Sequence, residues 1–125
     1  TRSWVSTVET ARFVLELFRA VAGGEAALRA RPMTEGFLTP ISPLQFPEEG
    51  LAVLREFIRA GQPVCIASMP MASGTAPVTL AGAMALANAE LLAGNVITQQ
   101  LGPGTPVLYG GIPHMLDLRT TMCSF

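Results

Sequence analysis

Apolar residues near the start of the chain recur at helical spacing. Val8, Ala11, Val14 or Leu15, Phe18 and Val21 share one face, the repeat of an amphipathic helix. Ser6 and Glu9 read as a capping box at its start, and Gly23-Gly24 as its stop. A shorter helix is predicted from Glu25 to Ala30, ending before Pro32. Gly36 to Thr39 reads as a short strand, because Pro40 and Pro43 just after it remove ladder donors. Pro47, with Glu48 and Glu49, suits a helix first turn. Leu51, Leu54, Phe57 and Ile58 line one face of that helix and Gly61 closes it. Val64 to Ser68 is a continuous apolar run with β-branched residues, the pattern of a strand buried on both faces. Pro77 is expected to open a long helix that Gly102-Pro103 ends, and Pro106 to Gly110 to form a third buried strand. His114 to Phe125 reads as a loop or the start of a further element.

Helices alternating with strands imply βαβ units, hence a parallel sheet with right-handed crossovers. The fold class is α/β, either an open doubly wound sheet or an arc of a (β/α)8 TIM barrel. A full barrel takes about 250 residues. A chain of 125 residues with about three parallel strands and flanking helices is therefore a partial barrel if it is a barrel at all. The expected organisation is a single fragment over 1–125, with a helical segment at 1–35 and a βαβαβ segment at 36–125.

Composition narrows the function classes. Half the residues are hydrophobic and 14% are charged, so a compact core is feasible and apolar surface is left for a partner. All eight cations are scattered arginines and the net charge is −1, which speaks against nucleic acid. Cys65 and Cys123 form no Cys/His cluster, so no metal site is expected and a reduced, cytoplasmic setting fits. No signal peptide is legible at the start. Val78 to Ile97 has the length of a membrane span, but Asn88, Glu90 and Asn95 interrupt it, so a buried soluble helix is expected. Gly82, Ala85, Ala89 and Ala93 would pack on the sheet, with Asn88 and Asn95 on one face and Glu90 off it. The two readings there are a polar outer stripe and a buried polar network reaching the site.

Candidate chemistry gathers at strand C-terminal ends, which form the ligand face in both parallel architectures. The first strand exits at Thr39, Pro40 and Ser42; the second at Ser68 and Met69-Pro70-Met71 into Ser73, Gly74 and Thr75; the third ends on Tyr109, Gly110 and Gly111, with His114 and Asp117 beyond. Gly74 lets backbone approach a ligand, and a helix opened by Pro77 would aim its positive end at the same mouth; alternatively the loop only caps the helix. Gly110-Gly111 either clears space for a bulky planar ligand or forms a turn needing positive φ. His114 lies near Asp117, so an acid–base pair is conceivable. Met71 can line an apolar pocket, and Tyr109 can offer an aromatic face to an organic cation or be an ordinary strand aromatic. No residue is assigned as catalytic. GxGxxG and Walker spacings are absent.

The blocks SGTAPVTLAGAMALANAELLAG, PGTPVLYGG and DLRT, with TVETARF, AVAGGEAALRARP and TPISPL upstream, resemble the trimethylamine methyltransferase family. That family includes glycine betaine:corrinoid methyltransferases, many without pyrrolysine. The resemblance runs from about Thr7 to Thr120. It implies a (β/α)8-barrel enzyme that moves a methyl group from a methylated amine, such as trimethylamine or glycine betaine, to a corrinoid carried by a partner protein. No corrinoid would be bound tightly by this chain. The chain looks like only a central piece of such a protein, roughly a quarter to a third of a barrel that with insertions runs to about 400 residues or more, so the fragment alone is expected to be inactive. The family position of pyrrolysine lies downstream, so its absence here separates no subgroups. The implied substrate-binding residues are Met71, Ser73, Gly74, Thr75, Tyr109, Gly110, Gly111 and His114. Two alternatives stand beside this reading. One is a non-catalytic barrel fragment that associates with its own copies through open sheet edges, a homo-oligomer. The other is a phosphate- or anion-binding α/β module using the Ser73–Thr75 loop. No membrane partner is expected.

Overall fold

A computed structural model describes residues 5–124, so Phe125, the last residue of the predicted terminal stretch, lies outside the described residues. Helix α1 (Val8–Ala22) leads into α2 (Glu25–Ala30), then β1 (Gly36–Leu38), α3 (Glu48–Arg59), β2 (Val64–Ser68), β3 (Met71–Ala72), α4 (Leu80–Leu101), β4 (Val107–Gly111), β5 (His114–Asp117) and β6 (Met122–Ser124).

The start of α1 corrects the capping-box expectation. Thr7, not Ser6, is the N-cap, and its hydroxyl accepts from the Thr10 N–H at 3.2 Å. At the other end Gly23 adopts φ 88°, as a left-handed C-terminal stop requires. The α2 and β2 bounds match the sequence pattern.

Strands β1, β2 and β4 form a parallel sheet in the order β1-β2-β4, joined by α3 and α4. The helices cover one face. A Cβ placed on Gly36 would meet the Phe57 ring, and Gly94 of α4 sits against Ile66, so Gly36, Leu38, Val64, Ile66, Tyr109 and Gly111 face the helices. By alternation and register, Phe37, Cys65, Ala67, Leu108 and Gly110 share the opposite face. The core lies between sheet and helices, centred on Leu15, Leu54, Phe57, Val64 and Ile66.

Two expectations change here. Strand β4 is not buried; it is the sheet edge, and four of its five residues are exposed. Helix α4 begins at Leu80 with Thr79 as N-cap, three residues after Pro77, because the Thr79 hydroxyl accepts from the Gly82 N–H at 3.1 Å. Its buried stripe is Ala83, Ala87, Glu90, Leu91, Gly94 and Thr98, whereas Ala85, Ala89 and Ala93 face out. Alanine on every side of the helix hid the phase. By length and composition alone α4 could cross a membrane, with mean hydropathy 1.4; it is buried along that stripe rather than all round.

Of the two readings for the stretch from His114, the start of a further element is the one found, since β5 begins there. β5 pairs in parallel with β3 and antiparallel with β6 in a second sheet ordered β3-β5-β6.

Candidate functional site

The second sheet stands directly on the C-terminal ends of the first. Past Ser68 and Gly111 the β2–β4 pair continues as the β3–β5 pair, each strand interrupted by a proline, Pro70 or Pro113. The ladder spans the break, with Ile112 N–H donating to the Ser68 carbonyl at 2.9 Å and His114 N–H to Pro70 at 3.2 Å. Proline removes one donor per strand without ending the pairing.

Six of the eight candidate residues flank this junction in two groups. Met71, Ser73, Gly74, Thr75 and His114 gather around β3 and β5, where Met71 is directly opposite His114. Leu116 and Met71 side chains lie against Gly74, and the Cys123 Sγ is 3.7 Å from the Met71 Sδ. Gly110 is on the helix-free face, where a Cβ would meet nothing within 4 Å. The remaining two, Tyr109 and Gly111, face the helices. The Tyr109 hydroxyl donates to the Asn88 side chain of α4.

Neither glycine of the pair has a positive φ, so the turn explanation fails. Gly111 is required by space: a Cβ there would stand 2.7 Å from the Ser68 carbonyl oxygen.

The Ser73–Thr75 loop is folded on its own donors. The N–H groups of Gly74, Thr75 and Ala76 all point at the Met71 carbonyl, at 2.9, 2.8 and 2.9 Å. The Met71 N–H in turn donates to the Thr75 hydroxyl at 3.0 Å. Ser73 takes φ 71° to close the loop. With these amides engaged and α4 starting at Leu80, the phosphate-cradle alternative loses its geometric basis.

His114 and Asp117 do not pair. Three residues apart on one strand, they point to opposite faces. The Asp117 carboxylate accepts from the Arg119 N–H at 2.8 Å and the Thr120 hydroxyl at 2.9 Å, which hold its carboxyl below the usual range. The His114 Nδ1 is 3.3 Å from the Ile112 carbonyl. Among the described residues, no group of three or more His, Cys, Asp or Glu could hold a metal ion.

Glu90, noted in the sequence only as a polar break in the long helix and not among the site residues, is the centre of a buried polar network. It is 0% exposed, and its carboxylate accepts from the Ser68 hydroxyl at 2.6 Å, the Ser42 hydroxyl at 2.9 Å and the Leu44 N–H at 2.9 Å. It therefore fastens the exits of both β1 and β2 to α4. The available signal was a lone carboxylate between Ala89 and Leu91 in a small-residue helix, with serines at two strand exits.

Residues 3–125 match the family model described as trimethylamine methyltransferase (MTTB). The chain is 38% identical over 112 residues to a glycine betaine methyltransferase of Desulfitobacterium hafniense (strain Y51), covering 90% of this chain and 23% of that protein. It is 42% identical over 106 residues to a trimethylamine methyltransferase MttB of Desulfitobacterium hafniense (strain DSM 10664 / DCB-2), covering 85% and 21%. A proline betaine:corrinoid methyltransferase of Eubacterium limosum is 38% identical over 94 residues, covering 75% and 19%. The chain thus spans about a fifth to a quarter of the length of these relatives.

Proposed function

The chain belongs to the trimethylamine methyltransferase family, and on that footing we propose that it forms an arc of a (β/α)8 barrel whose full-length gene product moves a methyl group from a methylated amine to a corrinoid on a partner protein. The observation that carries this reading is the family match over residues 3–125, together with relatives named for trimethylamine, glycine betaine and proline betaine. The parallel β1-β2-β4 sheet, helix-covered on one face, is consistent with such an arc.

The corrinoid is a second substrate in this scheme, and it supplies a strongly nucleophilic reduced metal when bound. A quaternary or tertiary amine is a poor electrophile, so what the protein must supply is placement. On this reading the methylammonium sits at the mouth above β2 and β4, against Met71, the Ser73–Thr75 loop, the open side of Gly110 and His114. Apolar walls with few polar anchors suit such a cation. Tyr109 and Gly111 support the mouth from the helix side. Demethylating a quaternary amine needs no general base, and none is assigned. A cytoplasmic location and a homo-oligomeric state belong to the same proposal.

The test is methyl transfer by the full-length gene product, supplied with a reduced corrinoid protein and each amine in turn. Formation of the singly demethylated amine supports the reading. A folded protein that demethylates none of them removes it.

A further inference from the structure

We infer that Glu90 is a positioning residue for the mouth. This rests on the methyltransferase reading only for its kinetic consequence. Glu90 lies on the helix side of the sheet, away from any substrate, so it acts through what it holds. One path runs to the exit of β1. The Leu44 N–H donates to Glu90 from a residue at φ 57°, a left-handed conformation that a non-glycine residue keeps only where its surroundings hold it. The Ser42 hydroxyl secures the same turn, whose ends bond to each other through Ile41 and Gln45.

The second path crosses to β4. The Ser68 hydroxyl donates to Glu90, the Ser68 carbonyl accepts the Ile112 N–H, and the Ile112 carbonyl faces the His114 ring. Gly111 lies against the same Ser68 carbonyl. One buried carboxylate therefore ties together the exits of β1, β2 and β4, the three strand ends that make the mouth. A group that merely filled space in α4 would not need three donors from two separate exits. Small displacements of a positioning scaffold lower turnover by about ten- to a hundredfold.

The test uses the full-length gene product with E90Q, which keeps the volume and removes one acceptor, and reads hydrogen exchange at 41–45 and 110–114 together with kcat and KM for the amine. The expected result is faster exchange in both segments and kcat/KM lowered about tenfold or more, with S68A falling part of the way and the double variant no lower than E90Q alone. A change confined to the melting temperature, with kcat/KM within about twofold of wild type, overturns the inference. If E90Q does not fold, S42A and S68A each remove one hydroxyl donor, weakening the first path and breaking the second, and are read in the same way. If the wild-type protein transfers no methyl group, the methyltransferase reading falls by itself. Exchange at 110–114 then decides this one: faster exchange there in E90Q supports it and an unchanged rate overturns it.

Discussion

Gly111 and Ser68 stand so close that a side chain on the glycine would collide with the serine carbonyl, at 2.7 Å from a Cβ. That carbonyl also receives the Ile112 N–H, so it cannot retreat without opening the ladder that leads into β5. Its neighbour Gly110 has open space on the other face. The two glycines thus have separable roles. Gly111→Ala is expected to lose about 1–3 kcal/mol through overpacking, read as a lower midpoint in urea. Gly110→Ala should leave the midpoint unchanged and alter KM for the amine. Equal loss of stability in both variants would contradict the assignment of faces.

Tyr109 separates an aromatic wall from a helix anchor. Its hydroxyl bonds to Asn88, and the ring faces α4. Tyr109→Phe should therefore cost about 1 kcal/mol of stability and leave KM for the amine within about twofold. Asn88→Ala should behave alike. A large rise in KM with unchanged stability would put the ring against substrate.

Thr79, rather than Pro77, starts α4. Thr79→Ala removes the acceptor for the Gly82 N–H and should cost about 1 kcal/mol, seen as a lower thermal midpoint. Ser6→Ala, at the predicted but unused cap before α1, should cost nothing measurable, while Thr7→Ala should resemble Thr79→Ala.

Acid should loosen the packing of α1 on α3. The hydrogen bond from Arg12, at 3.1 Å, holds the Glu56 carboxyl below its ordinary 4.5. A lowered folded value means the stabilisation is complete above the unfolded pKa and fades as pH falls through the folded one. Arg12 is largely exposed, so solvent screens the pair and its contribution is small. Glu56→Gln should lower stability at pH 7 and flatten the decline below about pH 4.5. An acid limb as steep as in wild type would place the titration elsewhere.

The alternation of helices and strands, and with it a parallel sheet, was legible because periodicity and proline or glycine stops are local signals; the spatial order β1-β2-β4 was not. The pattern located α2 and β2 to the residue. It could not give the second sheet, whose strands of two to four residues are too short to show a period and depend on pairing across Pro70 and Pro113. It misplaced the buried face of α4, since alanine carries no side. For the same reason the sequence left a polar outer stripe and a buried polar network both open for Glu90, and only the return of Ser42 and Ser68 to its side decides for the network. The family resemblance rested on ordered blocks of residues, and the family match spans residues 3–125.

The most direct measurement of the central claim is product analysis after single turnover. The full-length gene product is mixed with reduced corrinoid protein and trimethylamine or glycine betaine, and the amines are resolved by mass spectrometry. The account predicts dimethylamine or dimethylglycine in stoichiometric amount to the corrinoid. Intact amine in every reaction, from a protein shown to be folded, would contradict it.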